Sequence, residues 1–261
     1  MLANKLNIKN RVKLTFTRII KFAFTFSNPM FFNTFIHYGV AASIEHRGVI
    51  RKLPIDFVVD VGANRGQFSL LIRNFFPNAQ IFCFEPLSGP YQVLTKIFEG
   101  SKNVHCYKLA LGEKIFTTAI NVSAKDDSSS LLPISKLQTS VFSGTEKRGE
   151  EFVQVKRLDE VLDRGNISKN SLIKIDVQGY EYEVLLGCST LISDFRYVYC
   201  ECSNMELYAG QKMGWEIQEL LLSYGFTKIG EYNIYYGQDG RQIQSDILFE
   251  RLNINFPNVA N

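Results

Sequence analysis

The chain has 261 residues, 46% hydrophobic and 21% charged, the make-up of a soluble globular protein with one substantial core or one domain plus an extension. Its net charge of +3 is too slight to argue for a nucleic-acid partner. Five cysteines, odd in number and without C-x-x-C spacing, read as packed, reduced thiols of a cytoplasmic protein rather than as disulfides or a zinc site.

Lys5, Lys9, Arg11, Lys13, Arg18 and Lys21 all precede the first acidic residue, Glu45. A Phe-rich apolar stretch spans residues 14–36, but Arg18, Lys21 and the Asn28-Pro29 pair interrupt it, so it is a poor transmembrane span. No small-residue cleavage site follows a short apolar core, which argues against a signal peptide. Residues 1–50 therefore read as an N-terminal helical extension packed on the domain, its basic residues facing water. The alternative is a basic amphipathic surface resting on anionic lipid.

Residues 51–261 form the predicted domain. Residues 56–61 are a short β-branched run ending at a Gly-containing turn, which predicts a buried strand. Phe68, Leu71, Ile72 and Phe75 then recur at helical spacing until Pro77-Asn78. Residues 80–84 predict a second buried strand, 90–98 a helix, 104–109 a third strand and 115–122 a more exposed one. Residues 123–149 are polar and are the longest loop candidate, a length that is usually functional or disordered. Residues 152–155 predict a short strand, 158–162 the start of a helix, and 172–177 a second strand of the first kind. A helix over 180–192, a strand over 197–202 and a helix over 215–224 follow. Two strand-like runs, 225–232 and 245–251, close the chain.

Strands alternating with helices predict a doubly wound α/β fold, a mostly parallel sheet with helices on both faces. The final pair of strands breaks the alternation and predicts one antiparallel strand near the C-terminus. In such a sheet, ligands bind beyond the carboxyl ends of the strands, where strand order reverses.

Two motifs stand at such ends. In Asp60-Val61-Gly62-Ala63-Asn64-Arg65-Gly66, glycines let the backbone turn tightly and approach a ligand. Asn64 tolerates left-handed geometry and can stand where a glycine might. The spacing is not that of a dinucleotide site, and no G-K-[ST] follows for a P-loop. A tight turn without a ligand is the alternative. In Phe84-Glu85-Pro86, 25 residues beyond Asp60, a carboxylate can accept two hydrogen bonds from a ribose diol. A simply solvated carboxylate is the alternative there.

These segments resemble the opening of the FkbM methyltransferase family. Ala110-Leu111-Gly112, Ser129-Ser130-Leu131, Arg157-Leu158-Asp159, the run from Leu172 to Glu181, and Asp246-Ile247-Leu248-Phe249 match it in the family's order. Gln178 departs from the usual Glu. The resemblance implies a Rossmann-like methyltransferase sheet, S-adenosylmethionine as cofactor, and O-methyl transfer to a hydroxyl of a sugar, glycan or other small molecule. It implies that Asp60, Gly62, Asn64 and Gly66 shape the pocket for the methionine part. Glu85, followed by Pro86, would hold the ribose, and Ala110 and Leu111 would lie near the adenine.

On the acceptor side, a positioned base would help remove the proton of a weakly nucleophilic hydroxyl. Asp176 is the leading candidate, with Lys174 on the same side of its strand to keep it ionised. A structural Lys-Asp pair is the alternative. Glu201, ending the next strand, is the second candidate. Glu181 suits helix capping at least as well as catalysis. Asp176 and Glu201 with a third oxygen could hold Mg²⁺, but nothing in the spacing requires it, so no metal is expected. His105 reads as a packed histidine; His37 and His46 precede the first strand and could enter the site from a lid. Two rival functions share the fold: a nicotinamide-dependent oxidoreductase, and a non-catalytic cofactor-binding scaffold.

Overall fold

Short β-branched runs bounded by turns become the middle of a sheet when every side chain in them is buried. In the computed structural model, which describes residues 20–251, β1 (Phe57–Val61) and β7 (Ser171–Ile175) are such strands and lie side by side. The remaining strands are β2 (Gln80–Phe84), β3 (Val104–Tyr107), β4 (Ala110–Leu111), β5 (Phe116–Ser123), β6 (Lys147–Lys156), β8 (Tyr197–Ser203), β9 (Phe226–Tyr236) and β10 (Gln242–Arg251). Besides the helical residues 20–27, the helices are α1 (Pro29–Tyr38), α2 (Arg47–Ile50), α3 (Gln67–Phe75), α4 (Ser88–Ile97), α5 (Lys136–Val141), α6 (Glu181–Gly187) and α7 (Gly214–Ser223).

Seven strands form the main sheet in the order β3-β2-β1-β7-β8-β10-β9. β10 is antiparallel to both its neighbours and the others run parallel, so one reversed strand is inserted near the end of the chain, as the sequence predicts. The order reverses between β1 and β7, which opens a crevice at their carboxyl ends.

Alternation across the strands makes two cores. Val59, Val61, Ile173, Ile175 and Val198 pack beneath Val184 and Leu185 of α6 and Ile217 and Leu221 of α7. Val58, Ile81, Leu172 and Tyr199 pack on the other face beneath Leu71 and Ile72 of α3 and Leu94 of α4. Phe31, Ile44, Val49 and Ile50 join that second core, so much of the N-terminal segment is welded to the sheet. The Asn28-Pro29 pair starts α1: Asn28 accepts from the backbone N–H groups of Met30 and Phe31, and Pro29 occupies the first turn.

The helix expected from residue 158 is a 3₁₀ turn over Leu158–Glu160, and the one expected over 180–192 ends early, at Gly187. Three further segments differ from the sequence-based expectation. The third strand stops at Tyr107, and Ala110–Leu111 leaves it for a second, three-stranded sheet, β4-β6-β5. The predicted loop over 123–149 holds a 3₁₀ turn at Asp126–Ser128, helix α5 and the start of β6. Its Leu132, Ile134, Leu137 and Val141 pack on a small core of Leu207, Tyr208 and Ile243. Finally, β6 starts five residues before the predicted 152–155, because its open face carries charged residues that hide the strand from a hydrophobicity criterion.

Lys5, Lys9, Arg11, Lys13 and Arg18 lie outside the described residues; Lys21 pairs with Glu45 at 3.6 Å. Among the described residues no helix is long and apolar enough to cross a membrane. All five cysteines are unpaired.

Candidate active site

The crevice at the ends of β1, β2 and β7 is a cavity of about 270 Å³. Gly62, Asn64, Glu85, Pro86, Ala110, Leu111, Lys174 and Asp176 all line it. The sequence motifs thus converge, although Gly62 and Asp176 are 114 residues apart.

Gly62 turns the chain out of β1 with φ of 78°, and Asn64 follows with φ of 48°, both left-handed. The Gly62 and Ala63 amides both donate to the Phe84 carbonyl at 3.0 Å, tying this turn to the end of β2. Glu85 follows directly. Its two carboxylate oxygens accept from the Asn64 and Leu87 amides, each at 2.8 Å. Burial pushes its pKa up to about 7, with the two amides partly offsetting the shift. Each oxygen retains capacity for a further donor.

Asp60, Gly66 and Glu201 are placed differently from expectation, because none of them lines the cavity. Asp60 is fully buried one layer beneath it, where Oδ2 accepts from the Ser69 hydroxyl at 2.7 Å. Its Oδ1 lies 3.5 Å from Lys174 Nζ, the residue opposite it in β7. Gly66 caps α3 at φ of 87°, and a Cβ there would meet Phe98 at 2.7 Å. Its role is to let α3 pack on α4, which a strand-end motif alone does not reveal. Glu201 lies behind the cavity wall, accepting from Gln178 at 2.9 Å and from Gln244 at 2.8 Å.

Lys174 reaches Asp176 at 3.3 Å, Asp60 at 3.5 Å and the Gly62 carbonyl at 3.3 Å. Burial opposes its charge, but Asp176 and Asp60 outweigh that and hold the ammonium's pKa above its ordinary value. Burial likewise opposes ionisation of Asp176, yet Lys174 and the Gln178 amide hold its carboxyl below the usual carboxylate range. Burial, then Asp176 and Asp246, push Glu201 well above that range.

Gln178 stands between the two acids. Its Nε2 donates to Asp176 at 2.8 Å and to Glu201 at 2.9 Å, while its Oε1 accepts from Tyr208 at 2.8 Å. The departure at this position therefore brings an amide donor to two carboxylates. Glu181 accepts from the Val177 and Gly179 amides at 3.0 Å each, holding the turn before α6, and does not line the cavity.

His37 is exposed on α1, and His105 stacks on Phe82 with ring centroids 4.8 Å apart. His46 does enter the site, on a 3₁₀ turn over Ile44–His46, and lines the cavity with Lys21, Ser43 and Glu45. A backbone bond from Ser43 to Gln67, 3.0 Å, fixes that turn to the start of α3. Such a long-range tether leaves no local pattern in the sequence. Asp126, Asp127 and Ser129 line the opposite rim, with Asp126 held by Arg65.

A doubly wound sheet with one reversed strand, and a cavity joining a glycine turn to a strand-end acid, defines the Rossmann-like methyltransferase class. Within that class the match is specific, since the profile of the methyltransferase FkbM domain covers residues 60–228. The chain belongs to the FkbM methyltransferase family, whose cofactor is S-adenosylmethionine. It is 27% identical over 187 residues to the 2-O-methyltransferase NoeI of Sinorhizobium fredii, covering 69% of this chain and 77% of that one. It is 30% identical over 168 residues to the methyltransferase sdnD of Sordaria araneosa, covering 55% of this chain and 64% of that one. It is 26% identical over 149 residues to the hexuronic acid methyltransferase AglP of Haloferax volcanii, covering 56% of this chain and 55% of that one. The chain thus spans less than two thirds of the latter two relatives.

Proposed function

We propose that this protein transfers a methyl group from S-adenosylmethionine to a hydroxyl of a sugar or glycan. The observation that carries this reading is one cavity lined by two chemically distinct groups of residues. The first is the buried Glu85 with the apolar Leu109 to Leu111 edge; the second is Lys174, Asp176 and His46. The 2-O-methyltransferase activity of NoeI supports a hydroxyl acceptor, and the hexuronic acid methyltransferase activity of AglP supports a carbohydrate.

The residues of the first group fit the cofactor. Glu85 has acceptor capacity left for ribose hydroxyls, and Gly62 lets the turn that carries Asn64 pass close against the end of β7. Leu109 and Leu111 offer an apolar flank to the adenine. When bound, S-adenosylmethionine supplies an electrophilic methyl group on a sulfonium that is already a good leaving group. The protein's task is then alignment of the acceptor oxygen. Lys174 holds Asp176 ionised and in place, and Asp176 accepts a hydrogen bond from the acceptor hydroxyl, which orients the oxygen.

The test uses S-adenosylmethionine labelled in its methyl group and a panel of neutral sugars and hexuronic acids. Label that appears in product and survives mild alkali is an ether and supports the reading. Transfer only as alkali-labile label would mean a carboxylate ester, and no transfer to any hydroxyl would reject the sugar assignment.

We further propose that the acceptor is met at an anionic membrane surface. Phe22, Phe26 and Ile36 are 64%, 48% and 58% exposed, and Phe26 also touches Phe32 at 5.4 Å between ring centroids. The patch adjoins Lys21, which lines the cavity, in a sequence that carries six cations and no acid before Glu45. Co-sedimentation with phosphatidylglycerol vesicles is expected, weakening in high salt and in the Phe22→Ser/Phe26→Ser double variant. Equal binding to neutral vesicles, or no effect of the double variant, would remove the membrane contact.

A further inference from the structure

His46 is the histidine of the cavity wall, and its surroundings are more constrained than packing requires. The ring is held edge-on between Phe68 and Tyr199, each with centroids 5.5 Å away. Its side chain is only 13% exposed, and that exposure is to the cavity. Nδ1 lies 3.0 Å from the Tyr199 hydroxyl, which in turn lies 3.2 Å from Asp246 Oδ2. Asn233, at left-handed φ of 49°, donates to the same Asp246 oxygen at 2.7 Å. Nε2 has no hydrogen-bond partner among the described residues.

The direction of this chain of bonds can be worked out. A carboxylate is a stronger acceptor than a neutral imidazole, so the Tyr199 proton goes to Asp246. Burial and then Asp246 push the Tyr199 hydroxyl well above its ordinary value, so it keeps that proton. Asn233 Nδ2 also lies 3.2 Å from Nδ1, but its nearer acceptor is Asp246 Oδ2 at 2.7 Å, and that same oxygen stands 3.5 Å from Nδ1. With Tyr199 offering a lone pair and Asp246 close by, the hydrogen of the neutral ring is favoured on Nδ1, which leaves Nε2 as the acceptor nitrogen for a ligand.

We propose that His46 Nε2 receives the proton of the acceptor hydroxyl during methyl transfer, with Tyr199 and Asp246 as its positioning residues. This assignment rests on the methyltransferase reading above. The bond from the acceptor oxygen to the methyl carbon forms as the carbon–sulfur bond breaks, and that electron pair stays on sulfur. The hydroxyl's bonding pair stays on oxygen, its proton passes to Nε2, and the imidazolium later releases it to solvent. Asp176, held ionised by Lys174 and correspondingly weak as a base, orients the hydroxyl and leaves the proton to His46.

The groups facing His46 are few. Lys21 and Glu45 pair with each other at 3.6 Å, and Lys174 and Asp176 pair at 3.3 Å. Tyr199 on β8, Tyr232 on β9 and Asp246 on β10 complete the set. Glu85 governs the pH dependence of cofactor binding, so the role of His46 is read from kcat at saturating cofactor, with and without the imidazole.

The experiment compares wild type with His46→Gln and Tyr199→Phe in three measurements. For His46→Gln, S-adenosylhomocysteine affinity by calorimetry is expected to stay within about twofold, while kcat falls about 10²- to 10⁴-fold and the acid limb of its pH profile disappears. For Tyr199→Phe, which keeps the buried ring, kcat falls about tenfold at unchanged cofactor affinity. In ¹⁵N-histidine-labelled wild type the neutral His46 ring should report the Nδ1–H tautomer, and Tyr199→Phe should shift it. A kcat within about threefold of wild type, or a retained acid limb, in folded His46→Gln would overturn the proposal. Should that variant not fold, unchanged kcat and tautomer in Tyr199→Phe would overturn it instead. If wild type binds S-adenosylhomocysteine but methylates no hydroxyl, the methyltransferase reading fails and this role fails with it. A normal wild type beside an unaffected variant removes the proton role alone.

Discussion

Gly62→Ala is expected to cost about 3–5 kcal/mol of stability and to weaken S-adenosylhomocysteine binding by about 100-fold or more. Two independent effects add. The φ of 78° is strained for any residue with a side chain, and the new Cβ would sit 1.9 Å from the Asp176 carbonyl oxygen. That oxygen cannot retreat easily, because the Asp176 amide is bonded to the Val61 carbonyl at 3.1 Å. Relief would come only by parting β1 from β7 at the point where the cavity opens, which displaces Asn64 and Glu85 as well. Gly89→Ala is the control, since a Cβ there meets nothing within 4 Å. Urea unfolding and calorimetry on both variants decide the matter: equal midpoints would show that the strand junction yields.

S-adenosylhomocysteine should bind about tenfold more tightly at pH 8 than at pH 6. Ribose hydroxyls donate to Glu85, so they need the ionised carboxylate, and burial has raised its pKa to about 7. At pH 6 most of the free protein carries the proton and must lose it on binding; at pH 8 little does. The consequence for the free protein has the opposite sign. A carboxyl whose folded pKa is raised contributes stability that is complete below its ordinary value and is lost as pH rises through about 7. Glu181, raised by burial to about 7 as well, acts in the same direction. Free protein should therefore lose stability from acid to neutral pH while the complex loses less. Glu85→Gln should flatten the binding profile and weaken binding at pH 8. A pH-independent affinity in wild type would place the ribose elsewhere.

The central strands were legible because burial on both faces forces continuous β-branched runs, as at Val58-Val59 and Ile173. The two strand-end motifs were legible because a ligand-facing turn needs residues that tolerate left-handed backbone, as Gly62 and Asn64 do. The pairing of Lys174 with Asp176 followed from simple alternation along β7. The roles of Asp60 and Gly66 were less legible, since a motif shows which residues recur together and not which of them faces the ligand. Asp60 acts one layer down, through Lys174 and Ser69. Helix α5 and the small sheet β4-β6-β5 escaped notice because their partners are far along the chain, as in the isolated bridge between Ile134 and Tyr208. His46 owes its place to β8, β9 and β10, which supply Tyr199, Asn233 and Asp246 from at least 153 residues away.

Gln178 gives the acid side of the cavity a particular chemical independence. Both hydrogens of its amide are shared between Asp176 and Glu201, so hydrogen-bond length sets the separation of the two acids. A Gln178→Glu change would gather three carboxylates within the same distances. The Lys174 ammonium, 3.3 Å from Asp176, would be one positive charge among three acids, and a further proton or cation would be needed to hold them together. A single oxygen-for-nitrogen exchange thus turns a hydrogen-bonded clamp into a group that would have to recruit charge.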